Sequence, residues 1–311
     1  MTDFSDKALL PAGFSDVLAP DADFEASVLN RLLRCFSGHG YDRVEPPLIE
    51  FEDGLLTGIG AGLAEQTFRL MDPESQRLMA VRADITPQVA RIAQARLAKA
   101  PRPLRLSYAG QVLRVRGSQL RPERQFTQVG AELIGAAGPA ADAEVIAMAA
   151  GALIELGVAE LSCDLGLPAL VPAVSGDADP SLQAKLRQAL DRKDAAAVAG
   201  LGGELGEALT QTLAAMLSAA GPAAKTLDAL GGLGLKSEAE DGRKLLADVV
   251  DRVRAARPDL KLTIDPVENR GFEYHTGVTF TFFAKGVRGE LGSGGRYAAN
   301  DDDANGGEPA T

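Results

Sequence analysis

Two runs of residues constrain this chain more than anything else in it. LRLSYAGQVLRV (residues 104–115) and RQFTQVGAELI (124–134) both have strand length and strand-like patterning, and an arginine-rich segment separates them. Such a pair is predicted to form a long antiparallel hairpin with a sizeable loop. Alternate side chains of a strand share a face. Gln128, Gly130, Glu132 and Ile134 therefore point one way, and Thr127, Val129, Ala131 and Leu133 the other. Gln128 and Glu132 then lie about 13 Å apart, with a residue lacking a side chain between them. That spacing fits a pocket floor with a polar group at each end. It also fits a solvated strand face, and alternation alone does not separate the two.

Around the hairpin the pattern changes period. Phe24, Val28, Leu29, Leu32, Leu33 and Phe36 recur at helical spacing and stop at Gly38-His39-Gly40. YDRVEPPLIEF is strand-like but broken by Pro46-Pro47, which points to an edge or an interface. Thr86-Pro87 reads as an N-cap and first helical residue, opening a helix to about Lys99. Residues 142–156 are predicted helical and LSCDL a strand. From 166 to 258 the composition turns to Ala, Leu, Gly and charge, with a Ser237/Glu240 capping box on the last helix. Strands resume with LKLTID and FEYHTGVTFTFF, followed by a Gly-rich turn, GELGSGGRY. Strands before and after a helical block predict an α+β fold around an antiparallel sheet. Three segments are expected: a core over 1–165, a helical insertion over 166–258, and the rest of the core over 259–311.

Charge and cysteine content exclude several classes of function. The 311 residues carry a net charge of −11, so the field of the molecule repels nucleic acid, and no basic tract offsets it. The only two cysteines, Cys35 and Cys163, lie far apart without metal-ligand spacing, and with only His39 and His275 beside them neither a structural zinc site nor a disulfide framework is expected. No apolar run reaches membrane-spanning length and the first residues are polar and acidic, so a cytoplasmic protein without membrane contact is expected.

The polar residues that remain are of the kind that would hold a small zwitterion. Asp84 and Thr86, at a helix N-terminus, serve as caps or receive an ammonium group. Gln128 and Glu132 line one strand face, and Arg270, in an NRG turn, suits a carboxylate. On the later strand Phe272, Tyr274, Thr276, Val278, Phe280 and Phe282 share an apolar face, with Glu273, His275, Gly277, Thr279 and Thr281 opposite.

In sequence order LPAGFSD, RADITPQVARI, YAGQVLR, RQFTQVGAELIG, NRGFEYHTGVTF and GGRY are familiar together. The chain resembles the class II histidyl-tRNA synthetase family, and more closely its paralogues, the regulatory subunits of short-form ATP phosphoribosyltransferases. The resemblance covers nearly all of the chain outside 166–258. It implies a class II synthetase-like antiparallel sheet flanked by helices, and continuation into a third motif beyond residue 311. It also implies that Asp84, Thr86, Gln128, Glu132, Arg270, Tyr274 and His275 form a histidine pocket, with His275 standing where a second tyrosine is usual.

The same resemblance places Arg114 on an arginine that grips the α-phosphate of ATP. An acidic residue and an arginine normally follow, and here those positions hold Arg116 and Gly117; Arg121-Pro122 replaces the loop's far arginine. A cation in place of an acidic adenine contact inverts the local electrostatics, leaving only a remnant ATP site. A non-catalytic regulatory subunit is therefore implied, with no cofactor of its own. Its implied partner is the short-form catalytic ATP phosphoribosyltransferase subunit, in a hetero-oligomer where the core forms a homodimer and histidine is the effector. A divergent histidine–tRNA ligase, which would need an anticodon-reading domain after the core, and a free-standing histidine-binding module are the alternatives.

Overall fold

The computed structural model describes residues 9–118, 121–176, 179–268, 274–299 and 307–311. Arg270, Phe272 and Glu273 lie outside them. By contacts the chain forms two compact units that part at Gly135/Ala136. One compact unit holds Met1–Gly135 with Ala299–Glu308, the other Ala136–Ala298 with Pro309–Thr311.

In the first unit the YDRVEPPLIEF segment splits at its prolines. β1 (Asp42–Arg43) and β2 (Ile49–Phe51) go to different sheets, because neither Pro46 nor Pro47 has an N–H for a ladder. β2 joins β3 (Arg69–Met71) and β4 (Leu78–Val81) in an antiparallel sheet of order β2-β4-β3. The predicted hairpin forms as β5 (Leu104–Leu113) and β6 (Gln125–Ile134), paired from Leu104↔Ile134 to Leu113↔Gln125. β1 adds to β5 in parallel.

The predicted N-terminal helix spans Asp21–Gly38, yet only Phe36 of it is buried and Phe24 is 69% exposed. A second helix spans Thr86–Ala95, ending one turn short of Lys99. It stops where the Arg102 guanidinium gathers the carbonyls of Ala93, Leu97 and Ala100, satisfying acceptors that a further turn would have used. Ile85, Val89, Val112, Leu133 and Ile134 form the core of this unit, each worth about 1.5–3 kcal/mol when fully buried.

The second unit has strand order β12-β11-β10-β7-β9-β8. Its strands are β7 (Leu161–Gly166), β8 (Gly221–Pro222), β9 (Lys261–Ile264), β10 (His275–Ala284), β11 (Gly292–Ala298) and β12 (Pro309–Ala310). β7 and β9 run parallel, so the pattern is antiparallel with exceptions. Between them the described residues form helices and the short β8, ending in the helix Ser237–Ala256, which packs on the helix Pro139–Glu155.

Three local expectations fail here for identifiable reasons. Ser237 makes no cap hydrogen bond and has φ +48°, and Glu240 pairs with Arg243 instead, so no capping box forms. The presumed Gly-rich turn is strand β11. Its glycines leave room for β10, since a Cβ on Gly294 would meet Phe280 at 2.5 Å and one on Gly295 would meet His275 at 2.5 Å. The register of β10 shifts between His275 and Thr279, so the expected two-face alternation breaks and Gly277, Val278 and Thr279 are all buried.

Candidate functional site

The hairpin and the helix Thr86–Ala95 bring four of the sequence-singled residues together. Thr86 does not cap its helix. Ile85 is the N-cap residue, without a side-chain bond, and Asp84 takes that role from one position further out. Asp84 Oδ1 accepts from the Thr86 N–H at 2.9 Å and from Gln128 Nε2 at 2.9 Å. Gln128 Oε1 accepts in turn from the Ile85 N–H at 2.9 Å. The side chain of Gln128 is thus clamped at both ends to the chain entering the helix. Released from capping, the Thr86 hydroxyl donates to Glu132 Oε1 at 3.1 Å.

The gap expected at Gly130 is filled. Tyr108 of β5 pairs directly with Gly130, and a Cβ there would stand 2.4 Å from the Tyr108 hydroxyl oxygen. The phenol lies where the side chain is missing. Its O–H donates to Glu132 Oε1 at 3.2 Å and its oxygen is 3.1 Å from that of Thr86. Burial, then the charges of Glu132 and Asp84, push the Tyr108 pKa well above 10, so the phenol remains a donor. Glu132 itself is 5% exposed, a carboxylate kept out of water by two hydroxyls that solvate it. Sequence reading missed Tyr108. The available signal was register, since aligning the two runs sets an aromatic opposite a glycine.

Behind these groups, Arg82 fixes the frame. Its guanidinium is 6% exposed and donates to Gln111 O and Pro46 O, both at 2.8 Å, and to Gln88 Oε1 at 3.4 Å. A Cβ on Gly110 would collide with it at 2.1 Å. Gln88 reaches Pro47 O and Glu50, and Arg91 pairs with Glu50 at 2.5 Å. The helix that presents Thr86 is therefore tied to β2 and to the prolines just before it.

The arginines of the loop have separate jobs. Arg114 Nε donates to Ala83 O at 3.3 Å, and its guanidinium lies over Phe126 at 5.1 Å from the ring centre. Arg124 lies between the rings of Phe14 and Phe68, at 4.9 and 5.0 Å, and donates to Arg114 O and Ala12 O, so it holds the LPAGFSD segment in place. Arg116 is exposed. Gly117 closes the loop, since a Cβ there would meet Pro122 O at 2.3 Å.

Tyr274 and His275 belong to the second unit, where their rings stack at 4.3 Å and Tyr274 meets Tyr297 edge-on at 6.0 Å. Among the described residues no group of three His, Cys, Asp or Glu could hold a metal ion. Nor is any described helix long and apolar enough to cross a membrane.

Residues 13–311 match the profile of the histidyl-tRNA synthetase family. A protein of Paramagnetospirillum magneticum named ATP phosphoribosyltransferase regulatory subunit is 57% identical over 313 aligned positions, which cover 100% of this chain and 80% of the relative. The chain belongs to the family of ATP phosphoribosyltransferase regulatory subunits. Another member, from Rhodospirillum centenum, is 57% identical over 98% of this chain and 77% of its own. Among solved structures, a Bacillus halodurans ATP phosphoribosyltransferase regulatory subunit/histidyl-tRNA synthetase superposes with a TM-score of 0.85 at 24% identity, covering 97% of this chain and 79% of that one. A chain of the ATP phosphoribosyl transferase (HisG:HisZ) complex from Thermotoga maritima gives 0.69 at 16% identity, covering 91% and 94%. These likenesses establish the class II synthetase-like α+β fold. In this member of the family Asp84, Thr86, Gln128, Tyr108 and Glu132 form a connected polar network, and the loop between β5 and β6 carries Arg116 and Gly117.

Proposed function

We propose that the chain is the non-catalytic regulatory subunit of a short-form ATP phosphoribosyltransferase, acting in the first step of histidine biosynthesis. On this reading it binds the catalytic subunit, enables phosphoribosyl transfer to ATP, and carries histidine as feedback inhibitor in the inherited amino-acid pocket. It works in the cytoplasm with its core as a homodimer. The Asp84–Gln128–Thr86–Tyr108–Glu132 network is the observation that carries the histidine assignment. Its acceptors are two carboxylates set apart by a phenol, the arrangement needed for a ligand with an ammonium at one end and a ring N–H at the other. Arg270 is the candidate for the ligand's carboxylate, and Tyr274 and His275 for further contacts to its ring, all three by resemblance. Arg114 is a remnant of the ATP site.

Coupling requires that histidine bind two assembly states with different affinity, typically by about 1–3 kcal/mol. The test mixes the full-length protein with the catalytic subunit of its own organism and follows phosphoribosyl transfer with and without histidine. Activity that appears on mixing and falls with histidine is expected; no activation on mixing overturns the reading. Glu132→Gln replaces a buried acceptor with an amide and is expected to raise the half-inhibiting histidine concentration at least tenfold. The alternative, a divergent histidine–tRNA ligase, is favoured by Arg114, Glu132 and Arg270, while Arg116, Gly117 and Pro122 count against it. Histidine-dependent ATP–pyrophosphate exchange would reveal it.

A further inference from the structure

The turn after the helix Pro180–Asp191 holds a lysine in a backbone conformation that favours glycine. Lys193 has φ +55°, where a Cβ crowds the next carbonyl. Its N–H donates to Leu190 O and that of Asp194 to Ala189 O, both at 2.9 Å, so the turn closes the helix in the ordinary way. Asp194 then caps the helix Ala195–Gly200 through the Ala197 N–H at 2.9 Å. None of these bonds uses the lysine side chain, and glycine would make the backbone turn without strain.

The reason for a lysine lies at its far end. Its ammonium nitrogen is buried, 2.5 Å from Asp265 Oδ2 and 3.6 Å from Glu268 Oε2. Asp265 follows β9, and its N–H donates to Leu165 O of β7 at 3.0 Å, while its Oδ1 accepts from the Val267 N–H at 3.1 Å. A third carboxylate, Asp164 of β7, accepts from the Thr263 hydroxyl at 2.7 Å. Burial raises the pKa of Asp164 and the charges of Asp265 and Glu268 raise it further, while the bond from Thr263 and the charge of Lys193 oppose the rise. Gly166 admits the cluster to the sheet. A Cβ there would meet the Thr279 hydroxyl at 2.8 Å and Glu268 Cβ at 3.8 Å, and Gly166 is the direct partner of Thr279 on β10. The ion pair thus stands by the ends of β7 and β9, and Gly166 beside it pairs with Thr279 of β10, the strand that His275 opens.

We propose that Lys193 is a positioning residue: its ammonium fastens the turn of the helical stretch to Asp265 and Glu268, and so sets where the first residues of β10, with Tyr274 and His275, are held. Strain kept in a backbone is maintained by the surroundings that need it. Here a side chain is retained at a glycine position because it is the internal cation of a carboxylate cluster. The role gives the helical stretch a share in the effector response, and that part of the inference rests on the histidine reading above.

The experiment compares Lys193→Gly, Lys193→Met and Lys193→Arg in the full-length protein. The glycine variant relieves the left-handed turn while removing the cation, so a folding defect is not the expected result. Hydrogen exchange of backbone amides at 265–268 and 275–279 should quicken at least tenfold in the glycine and methionine variants, with β5 and β6 unchanged. Lys193→Arg should restore protection, and added butylammonium should restore it in the glycine variant, whose vacancy it fits. Calorimetry should show histidine binding weakened about tenfold in the same two variants, as displaced site groups lose affinity. Unchanged exchange at 275–279 in both overturns the proposal. A parent protein that fails to bind histidine overturns the functional reading instead, and the exchange data still decide on Lys193.

Discussion

The buried phenol of Tyr108 donates to the buried Glu132 and meets the half-buried Thr86. Tyr108→Phe keeps the ring that fills the gap at Gly130 and removes only the donor. The variant should lose about 1–2 kcal/mol of stability near neutral pH, read from denaturant midpoints, because a buried carboxylate is left with one donor fewer. The pH dependence has a definite sign. An unfolded tyrosine ionises near 10, and in the folded chain burial, Glu132 and Asp84 hold Tyr108 well above that. Above pH 10 the folded state keeps a proton that the unfolded state has lost. The stability owed to this group is therefore complete below pH 10 and drains away as pH rises, by at most about 1.4 kcal/mol per pH unit. The variant lacks that loss, so the parent's advantage should shrink in unfolding curves taken between pH 9 and 11.

The elements around the pocket are held in register chiefly by Arg82. Replacing it with methionine leaves the carbonyls of Pro46 and Gln111 without their donor. A cost of about 2–4 kcal/mol is expected from orphaned buried acceptors, with thermal unfolding as the measure, and the helix Thr86–Ala95 should lose protection from hydrogen exchange first. Much at this scale was legible in the sequence. Period-two runs marked β5 and β6, Thr86-Pro87 marked the helix start, and Pro46-Pro47 marked the break between β1 and β2. What was not legible depends on neighbours distant in sequence. Gly130 read as an empty floor because nothing local reveals that Tyr108 lies over it. Gly294 and Gly295 read as a turn because the side chains they admit, Phe280 and His275, come from β10. The Ser237/Glu240 pair had the spacing of a capping box, but Arg243 one turn on took the carboxylate. Of the site, the strand-borne groups were readable from alternation, whereas Thr86, read as the cap, leaves that role to Asp84 and turns its hydroxyl to Glu132. Arg82 read only as part of a motif, since its partners lie 29 and 36 residues away.

For the molecule as a whole, the exposed apolar residues of the first unit bear on assembly. Leu9, Leu18, Phe24 and Met71 are 60–77% exposed, and Ile49 and Phe51 of β2 are 37% exposed. A chain carrying a net charge of −11 is not expected to leave so many of them wetted without reason. The homodimer proposed above would cover them. Sedimentation of the purified protein should give a dimer, and Phe51→Glu should move it toward monomer at micromolar concentration. The ties made by Arg82 have one more consequence, which concerns how the chain matures. The β5–β6 hairpin pairs residues close in sequence, whereas Arg82 must find carbonyls on two other segments before Asp84 and Glu132 can share a pocket. Contacts of that kind are closed late. A molecule that fits the pocket therefore selects finished chains, adding about 2.7 kcal/mol at a hundredfold excess over its dissociation constant. An effector held there would double as a folding aid, so newly made subunit should reach its soluble form in higher yield when that amino acid is plentiful.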